Sequence, residues 1–335
     1  MKMSDKEPSL SKEKYMHEKR HLSTNDSYLT NVRTVQRRTA VSKVRMLNTS
    51  LDTVFYDVGA VTLQERSKLS DYVIPEGAVL IVYPGDSKQR IQSYTPSEFA
   101  LQQDNGTGDM VDAIAVAGVG SSALGTAALA RNIADHIMRP VAGIVSGYGM
   151  SDLLTEAMGG WFVLGARNAL RDSLARLFDL YQLKDHVRDS ESHQAMKEHF
   201  ESTGIDTDRF IYGSPDSATL LYLLSKLGTN IKLLVGHSKG SLSIENALEG
   251  WLGSSKKTGA PINLDLCIVT LGAVIRFPSN FQNVHQFIGQ IDYFGMMNSR
   301  PFEKRDIVPN AWHSLNSEVF GYLSVREALQ SLIFQ

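Results

Sequence analysis

The chain lacks the residues needed for a disulfide framework, a zinc cluster built on cysteines, or a membrane-spanning segment. Cys267 is its single cysteine among 335 residues, which excludes an intrachain disulfide and a site made of several thiolates. The longest apolar runs, residues 113–119 and 220–224, are well short of the roughly 18 residues that cross a bilayer. We therefore expect an ordinary globular chain without a transmembrane helix.

A dominant charge of either sign is also missing. The sequence has 34 Lys and Arg against 36 Asp and Glu, a net charge of −2. Nucleic-acid binders usually carry a clear basic excess, so we expect no nucleic-acid partner. The first twenty residues contain no apolar stretch typical of a secretory signal peptide. The expected location is cytoplasmic by default, and export without a cleaved signal stays open.

The charge that is present is distributed unevenly. Residues 1–46 contain eleven Lys and Arg against five Asp and Glu, and few large apolar side chains. This composition predicts that residues 1–50 form a basic, flexible arm, followed by one folded domain over residues 51–335. Such an arm is typical of a solvated tail, or of a segment that contacts an anionic membrane surface or a protein partner.

Apolar strands alternate with helices over most of the predicted domain. Residues 54–61 also have a strand-like composition, and residues 94–109 form a polar connection that ends in a cluster of turn residues. Residues 152–212 interrupt the alternation with a helical stretch too long for one crossover helix, and we predict a helical insertion there. The alternation is typical of an α/β fold, with a mostly parallel sheet covered by helices on both faces. The predicted strands are 78–83, 113–117, 140–145, 231–235, 264–271 and 285–291, and the predicted helices are 123–138, 217–227, 241–252 and 324–334.

The strongest chemical signal is a G-x-S-x-G motif formed by Gly236, Ser238 and Gly240. It directly follows an apolar strand and precedes a helix. A serine on such a sharp turn is held in a strained backbone conformation that exposes Oγ above the edge of the sheet, and small residues must flank it. We predict that Ser238 is a nucleophile. The alternative is a glycine-rich turn that only packs a strand on a helix.

A nucleophilic serine needs a general base, and in this arrangement the base follows it in the chain after an acid. Only His285 and His313 lie after Ser238. His285 begins a predicted strand, before any suitable acid. His313 lies in a polar loop just before the last predicted helix, so we predict that His313 is the base.

Three aspartates are candidates for the acid that orients His313. Asp265 opens a predicted strand and belongs at the far edge of the sheet. Asp292 directly follows the strand 285–291, at the edge where open α/β sheets place their ligands. Asp306 is the rival, only seven residues before His313. We favour Asp292, and Asp306 stays open.

Two backbone N–H groups are expected to stabilise an oxyanion. One belongs to Lys239, directly after the nucleophile, and we assign the other to Val119 in the turn after the strand 113–117. Gly118 and Gly120 on either side of Val119 would let the backbone approach a substrate closely. The same turn also fits the G-x-G-x-x-A pattern of a dinucleotide-binding loop, but the next strand ends in Ser146 and Gly147, with no acidic residue there for a ribose.

Three segments resemble the α/β-hydrolase superfamily, and within it the class 3 lipases. Residues 236–240 are similar to the family's G-H-S-x-G, residues 117–120 to its H-G-x-G turn, and residues 312–316 to the loop that holds its catalytic histidine. The sequence departs from the family at Ala117, where a histidine is usual, and at Lys239, where a leucine is common. The resemblance implies a serine hydrolase of carboxylic esters, a lipase or phospholipase, with no metal and no organic cofactor.

The resemblance also gives the helical insertion at about 152–212 a role as a cap over the site. It implies that a lipid or acyl-ester substrate contacts Tyr148, Trp161 and Phe162, together with Gly118 and Gly120. The alternative for the apolar side chains of the insertion, Trp161 and Phe162 among them, is that they pack the cap on the core. The alternatives are a thioesterase or acyltransferase of the same fold, and a hydrolase-like binding protein without catalysis.

Overall fold

The computed structural model describes residues 51–71, 74–118, 121–146, 191–207, 210 and 214–332. The predicted arm, residues 1–50, lies outside these ranges. So does the predicted insertion, apart from residues 191–207 and 210. In the part of the insertion that is described, residues 191–203 form a helix, as the sequence predicts.

Strands and helices alternate along most of the described chain. The strands are β1 Val79–Val82, β2 Gln92–Tyr94, β3 Ala113–Val116, β4 Val141–Ile144, β5 Leu233–His237, β6 Cys267–Leu271, β7 Val284–Gly289 and β8 Asp306–Val308. The helices are α1 Leu63–Asp71, α2 Pro96–Asp104, α3 Ala123–Ile137, α4 Glu191–Thr203, α5 Pro215–Leu227, α6 Lys239–Thr258, α7 Tyr293–Met297 and α8 Val325–Gln330. None of the helices in these ranges is both long enough and apolar enough to cross a membrane.

All eight strands belong to one sheet in the order β2-β1-β4-β3-β5-β6-β7-β8. Six neighbouring strands in this order, β4-β3-β5-β6-β7-β8, pair in parallel. Strand β1 is antiparallel to both of its neighbours, β2 and β4. The predicted α/β fold with a mostly parallel sheet is therefore confirmed. Because parallel strands end at the same edge, the residues after β3, β5, β6 and β7 share one rim of the molecule.

Helices cover both faces of the sheet, and the side chains of each strand alternate between two cores. In β1, Val79 and Ile81 join one core while Leu80 and Val82 join the other. The first core is completed by α2, α4, α5 and α6, and the second mainly by α3 and α8. Alternation of this kind in strands apolar on both sides is what a sheet buried between two layers of helices requires.

The strand expected over residues 54–61 is wrong. Residues 51–55 are helical and Val58–Ala60 form a short 3-10 helix. The backbone N–H of Tyr56 donates to the carbonyl of Asp52 at 2.8 Å, and both side chains are buried. Val54, which a strand would place on the same face as those two, is 40% exposed. The buried side chains of Asp52 and Tyr56 are four residues apart, which is the spacing of one helical turn, so the segment is helical although its composition favours a strand.

The polar connection expected over residues 94–109 also contains more structure than its composition indicates. It begins at the end of β2 and includes the helix α2. Thr95 caps α2 by accepting from the N–H of Glu98, whose side chain accepts from the N–H of Thr95 in return, and Pro96 occupies the first turn. This capping box is a signal visible in the sequence that predicts a helix start.

Candidate functional site

Ser238 alone connects the strand β5 to the helix α6. Its backbone has φ 51° and ψ −122°, although it is not a glycine. A residue in this part of conformational space costs on the order of 1–3 kcal/mol and persists only where its surroundings enforce it. The Ser238 N–H donates to the carbonyl of Leu271 at 2.9 Å, and its own carbonyl accepts from Ser241 N–H at 3.0 Å. The backbone is therefore strained at the serine where the motif predicts it.

The two glycines of the motif allow helix α6 to approach the sheet. A Cβ added to Gly236 would lie 2.8 Å from backbone atoms of Ser241, and a Cβ on Gly240 would lie 2.1 Å from the carbonyl oxygen of Val116. Both distances are shorter than any van der Waals contact. The close packing of α6 against the ends of β5 and β3 therefore requires glycine at both positions, and it fixes where Ser238 stands.

His313 and Asp292 form a buried pair at the same rim. His313 Nδ1 lies 2.9 and 2.8 Å from the two carboxylate oxygens of Asp292. The side chains are 6% and 0% exposed. Because a carboxylate only accepts hydrogen bonds, Nδ1 carries the proton and Nε2 is the acceptor of the neutral imidazole. The Gly295 N–H also donates to Asp292 at 2.6 Å, which fixes the carboxylate in position.

Gly272 brings the serine and this pair to one place, and sequence reasoning missed it. It directly follows Leu271, the last residue of β6, whose carbonyl accepts the Ser238 N–H. Its φ is 67°, and a Cβ added there would lie 3.0 Å from two ring atoms of His313 and 3.3 Å from Asp292 Oδ2. The imidazole and carboxylate therefore pack directly over the end of β6. A glycine immediately after a predicted strand was the available signal.

The other candidate acids and bases lie elsewhere. Asp306 begins β8, is exposed, and pairs in register with Phe287 inside β7 rather than with the residue at its end. Asp265 is exposed just before β6. His285, near the start of β7, has its Nε2 2.8 Å from Asn283 Oδ1. Of the residues considered from the sequence, Asp292 is the one whose carboxylate contacts His313.

The turn after β3 lies against the serine. A Cβ on Gly118 would be only 3.2 Å from Ser238 Cβ. The hydroxyl of Ser146, just after β4, donates to the carbonyl of Ala117 at 2.6 Å and fixes the start of this turn. Lys239 is the first residue of α6, so its N–H lies at the positive end of a 20-residue helix. The remaining predicted contacts fall outside the described residues: Val119, Gly120, Tyr148, Trp161 and Phe162.

A second hydrogen-bonded chain, also missed, runs behind the serine. The N–H of Gly118 donates to the hydroxyl oxygen of Tyr56 at 2.6 Å. That hydroxyl lies 2.8 Å from Nδ1 of His237, and Nε2 of His237 lies 3.0 Å from the carbonyl oxygen of His313. Burial holds the pKa of His237 well below its ordinary value. His237 was visible as the second residue of the motif, whereas nothing in the sequence distinguished Tyr56.

Residues 52–56, which we call the bracing segment, contact the two loops of the site, namely the loop that follows His313 and the connection between β3 and α3. Their carbonyls accept hydrogen bonds from the loop after His313: Val54 from Ser314 Oγ at 2.7 Å, and Phe55 from the N–H of Leu315 at 2.8 Å. At the other end, Asp52 accepts from the N–H of Ser122, the N-cap of α3. Burial raises the pKa of Asp52 to about 6, against the opposing effect of these hydrogen bonds.

Two phenylalanine rings lie close to the imidazole of His313. The rings of Phe55 and Phe294 lie 5.8 and 6.2 Å from it, centroid to centroid. Helix α7, which begins directly after Asp292, exposes large apolar side chains: Tyr293 is 71% exposed and Met296 47%. The described surface beside His313 is therefore suited to an apolar ligand.

No metal centre accompanies this site in the described part of the chain. Within those residues, no three His, Cys, Asp or Glu side chains come together in a way that could hold a metal ion.

A scan against models of known protein families and searches of curated proteins and of solved structures found no match to the chain. Its function has therefore to be inferred from the site itself.

Proposed function

We propose that this protein is a serine hydrolase of carboxylic esters, with lipase or phospholipase activity and the fold of the α/β-hydrolase superfamily. The observation that carries the proposal is the strained Ser238, at a strand-to-helix turn, beside the buried His313–Asp292 pair. Backbone strain at Ser238 costs free energy, and a turn that served packing alone would need neither that strain nor a buried histidine hydrogen-bonded to a carboxylate. The order serine, aspartate, histidine along the chain supports the same assignment.

In the proposed mechanism, Ser238 Oγ attacks the carbonyl carbon of the ester while His313 Nε2 takes the hydroxyl proton. Asp292 keeps the proton of His313 on Nδ1 and stabilises the imidazolium that forms. The tetrahedral intermediate collapses, and His313 gives its proton to the departing alcohol. A water molecule, deprotonated by His313, then attacks the acyl-enzyme. The bond to Ser238 Oγ breaks, His313 returns the proton to that oxygen, and the carboxylic acid is released.

The oxyanion of the intermediate is proposed to bind the N–H groups of Lys239 and Val119. Lys239 is supported by its position at the start of the 20-residue helix α6, where backbone N–H groups and the helix dipole favour negative charge. Val119 follows Gly118, whose turn lies against the serine. Loss of one such donor typically raises the barrier by about 3 kcal/mol.

An apolar acyl group is the proposed specificity. The aromatic rings of Phe55 and Phe294 beside His313, and the exposed side chains of α7, favour a substrate with hydrocarbon next to its ester. Residues 152–212 are proposed as a helical cap that contributes further apolar contacts. The residues directly after β4 are Val145, Ser146 and Gly147, none of them acidic. This lack of a ribose ligand and the serine geometry both disfavour the dinucleotide-binding alternative.

The nucleophile is tested by labelling with a fluorophosphonate probe. Wild type is expected to be labelled, and Ser238→Ala is expected to lose all labelling because the attacking oxygen is gone. Ser241→Ala is the matched control, since Ser241 is a buried serine in the first turn of α6, three residues after Ser238. Equal labelling of wild type and Ser238→Ala, or loss of labelling only in Ser241→Ala, would contradict the assignment.

The substrate class is tested with a panel of triacylglycerols, phospholipids and acyl thioesters, followed by mass spectrometry. Ester cleavage by wild type and none by Ser238→Ala is the expected result. Turnover restricted to thioesters would favour the thioesterase alternative. A wild type that is labelled by no probe and cleaves nothing in the panel would favour the binding-protein alternative.

A further inference from the structure

The hydrogen-bonded chain behind Ser238 has a defined direction. The amide N–H of Gly118 can only donate, so the Tyr56 oxygen accepts it. Nε2 of His237 faces a backbone carbonyl, which only accepts, so the neutral ring accepts the phenol proton of Tyr56 at Nδ1, 2.8 Å away. His237 therefore carries its proton on Nε2.

The far end of the chain sets this tautomer. Nε2 of His237 faces the backbone carbonyl of His313 at 3.0 Å, and a carbonyl only accepts. Every donor thus meets an acceptor from Gly118 to His313. A protonated His237 would place an N–H on Nδ1, opposite the phenol proton of Tyr56, so that two donors would face each other. The low pKa of His237, caused by its burial, keeps the ring neutral.

Tyr56 and His237 connect the three backbone segments of the proposed site. Gly118 belongs to the turn that is expected to supply an oxyanion donor, His237 precedes the nucleophile, and the carbonyl at the end of the chain belongs to the general base. Both side chains are almost fully buried, at 3% and 2% exposure. Hydrogen bonds shielded from water hold geometry more firmly than exposed ones.

The bracing segment adds to this connection. Tyr56 is its last residue, and its carbonyls bind the loop that follows His313. The rings of Phe55 and His313 form a T-shaped pair, with 86° between their planes. Two different kinds of contact from neighbouring residues therefore act on the same catalytic loop.

We propose that Tyr56 and His237 are positioning residues that set the distance between the oxyanion turn at Gly118 and the general base His313. This inference rests on the proposed function. Neither side chain is assigned a chemical step, and neither is expected to contact the substrate. Their effect is on kcat, because small displacements of catalytic groups slow the reaction without weakening substrate binding.

The test compares Tyr56→Phe with Tyr83→Phe, using hydrolysis of p-nitrophenyl butyrate. Both variants remove one buried phenol oxygen, but Tyr83 follows β1 at the opposite edge of the sheet, where Val82 pairs with the first residue of β4. We expect Tyr56→Phe to lower kcat between about tenfold and 100-fold, with KM changed less than about threefold. Tyr83→Phe is expected to stay within about twofold of wild type in both, whatever its effect on the unfolding temperature.

A second pair of variants decides the matter if Tyr56→Phe does not fold. His237→Gln can still accept from Tyr56 and donate to His313, whereas His237→Leu, of similar size, can do neither. We expect the glutamine variant to retain at least about fivefold more kcat than the leucine variant at equal folded fraction.

If wild type reacts with the fluorophosphonate probe, two results would overturn the positioning role and leave the proposed function standing. One is a wild-type kcat in Tyr56→Phe, and the other is equal kcat in the two His237 variants. A wild type that does not react with the probe overturns the proposed function itself, and the positioning role with it.

Discussion

Replacing Asp292 by asparagine tests the proposed division of labour in the site most directly. The change is almost isosteric, and the buried carboxylate is replaced by a neutral amide. One oxygen remains to accept the N–H of Gly295, which now lies 2.6 Å from Oδ1. The amide NH2 then replaces Oδ2, which lies 2.8 Å from Nδ1 of His313, so that two donors meet there. His313 is expected to move its proton to Nε2 to relieve this conflict.

The size of the effect follows from the tautomer. With Nε2 protonated, the imidazole has no lone pair to accept the proton of Ser238. The charge that would stabilise the imidazolium is gone as well. Exchange of a triad aspartate for asparagine lowers kcat by about 10⁴-fold, which corresponds to about 5.5 kcal/mol in the barrier. The free energy of unfolding is expected to change little, because the shape of the side chain is kept.

The assay is the steady-state rate of p-nitrophenyl butyrate hydrolysis, together with the rate constant of fluorophosphonate labelling. Urea unfolding of each variant shows whether the fold is intact. Asp306→Asn is the control, since Asp306 is exposed and begins β8, and it is expected to remain within about twofold of wild type. A folded Asp292→Asn variant with kcat within tenfold of wild type would refute the assignment of Asp292 as the triad acid.

Two further predictions concern stability. Gly240→Ala places a methyl group 2.1 Å from the carbonyl oxygen of Val116, so we expect a loss of about 2–4 kcal/mol in urea unfolding and slower probe labelling. Gly253→Ala in the same helix meets nothing within 4 Å and should instead stabilise by about 0.5–1 kcal/mol; equal effects would contradict the packing argument. The pKa of Asp52, raised to about 6 in the folded chain, means that its contribution to stability is greatest below its unfolded pKa of about 4 and is lost as the pH rises through 6. The free energy of unfolding of wild type, relative to that of Asp52→Asn, should therefore fall by about 2 kcal/mol between pH 4 and pH 7. A difference between the two proteins that stays constant over that range would show that Asp52 does not titrate in this way.

Sequence pattern was sufficient where the cause of structure is local. Apolar runs bounded by turn residues identified the central strands, since a strand buried on both faces is apolar throughout. The G-x-S-x-G motif located the strained turn because only small flanking residues permit it, and Gly236 and Gly240 contact the backbone that their position requires. Chain order and the common edge at which parallel strands end also predicted His313 and favoured Asp292, and these two side chains are in contact.

Tertiary structure alone decided what depends on partners distant in the chain. Nothing near Tyr56 in the sequence indicates that its hydroxyl lies between Gly118 and His237, because those residues are 62 and 181 positions away. The pairing of His313 with Asp292 rather than Asp306 depends on where β8 begins against β7, which is set by packing of the sheet. The composition of residues 54–61 favours a strand, but contacts at Asp52 and Tyr56 with the two loops of the site stabilise a helical turn instead. Local propensity differs between conformations by only a few tenths of a kcal/mol per residue, so buried hydrogen bonds to distant segments determine the outcome.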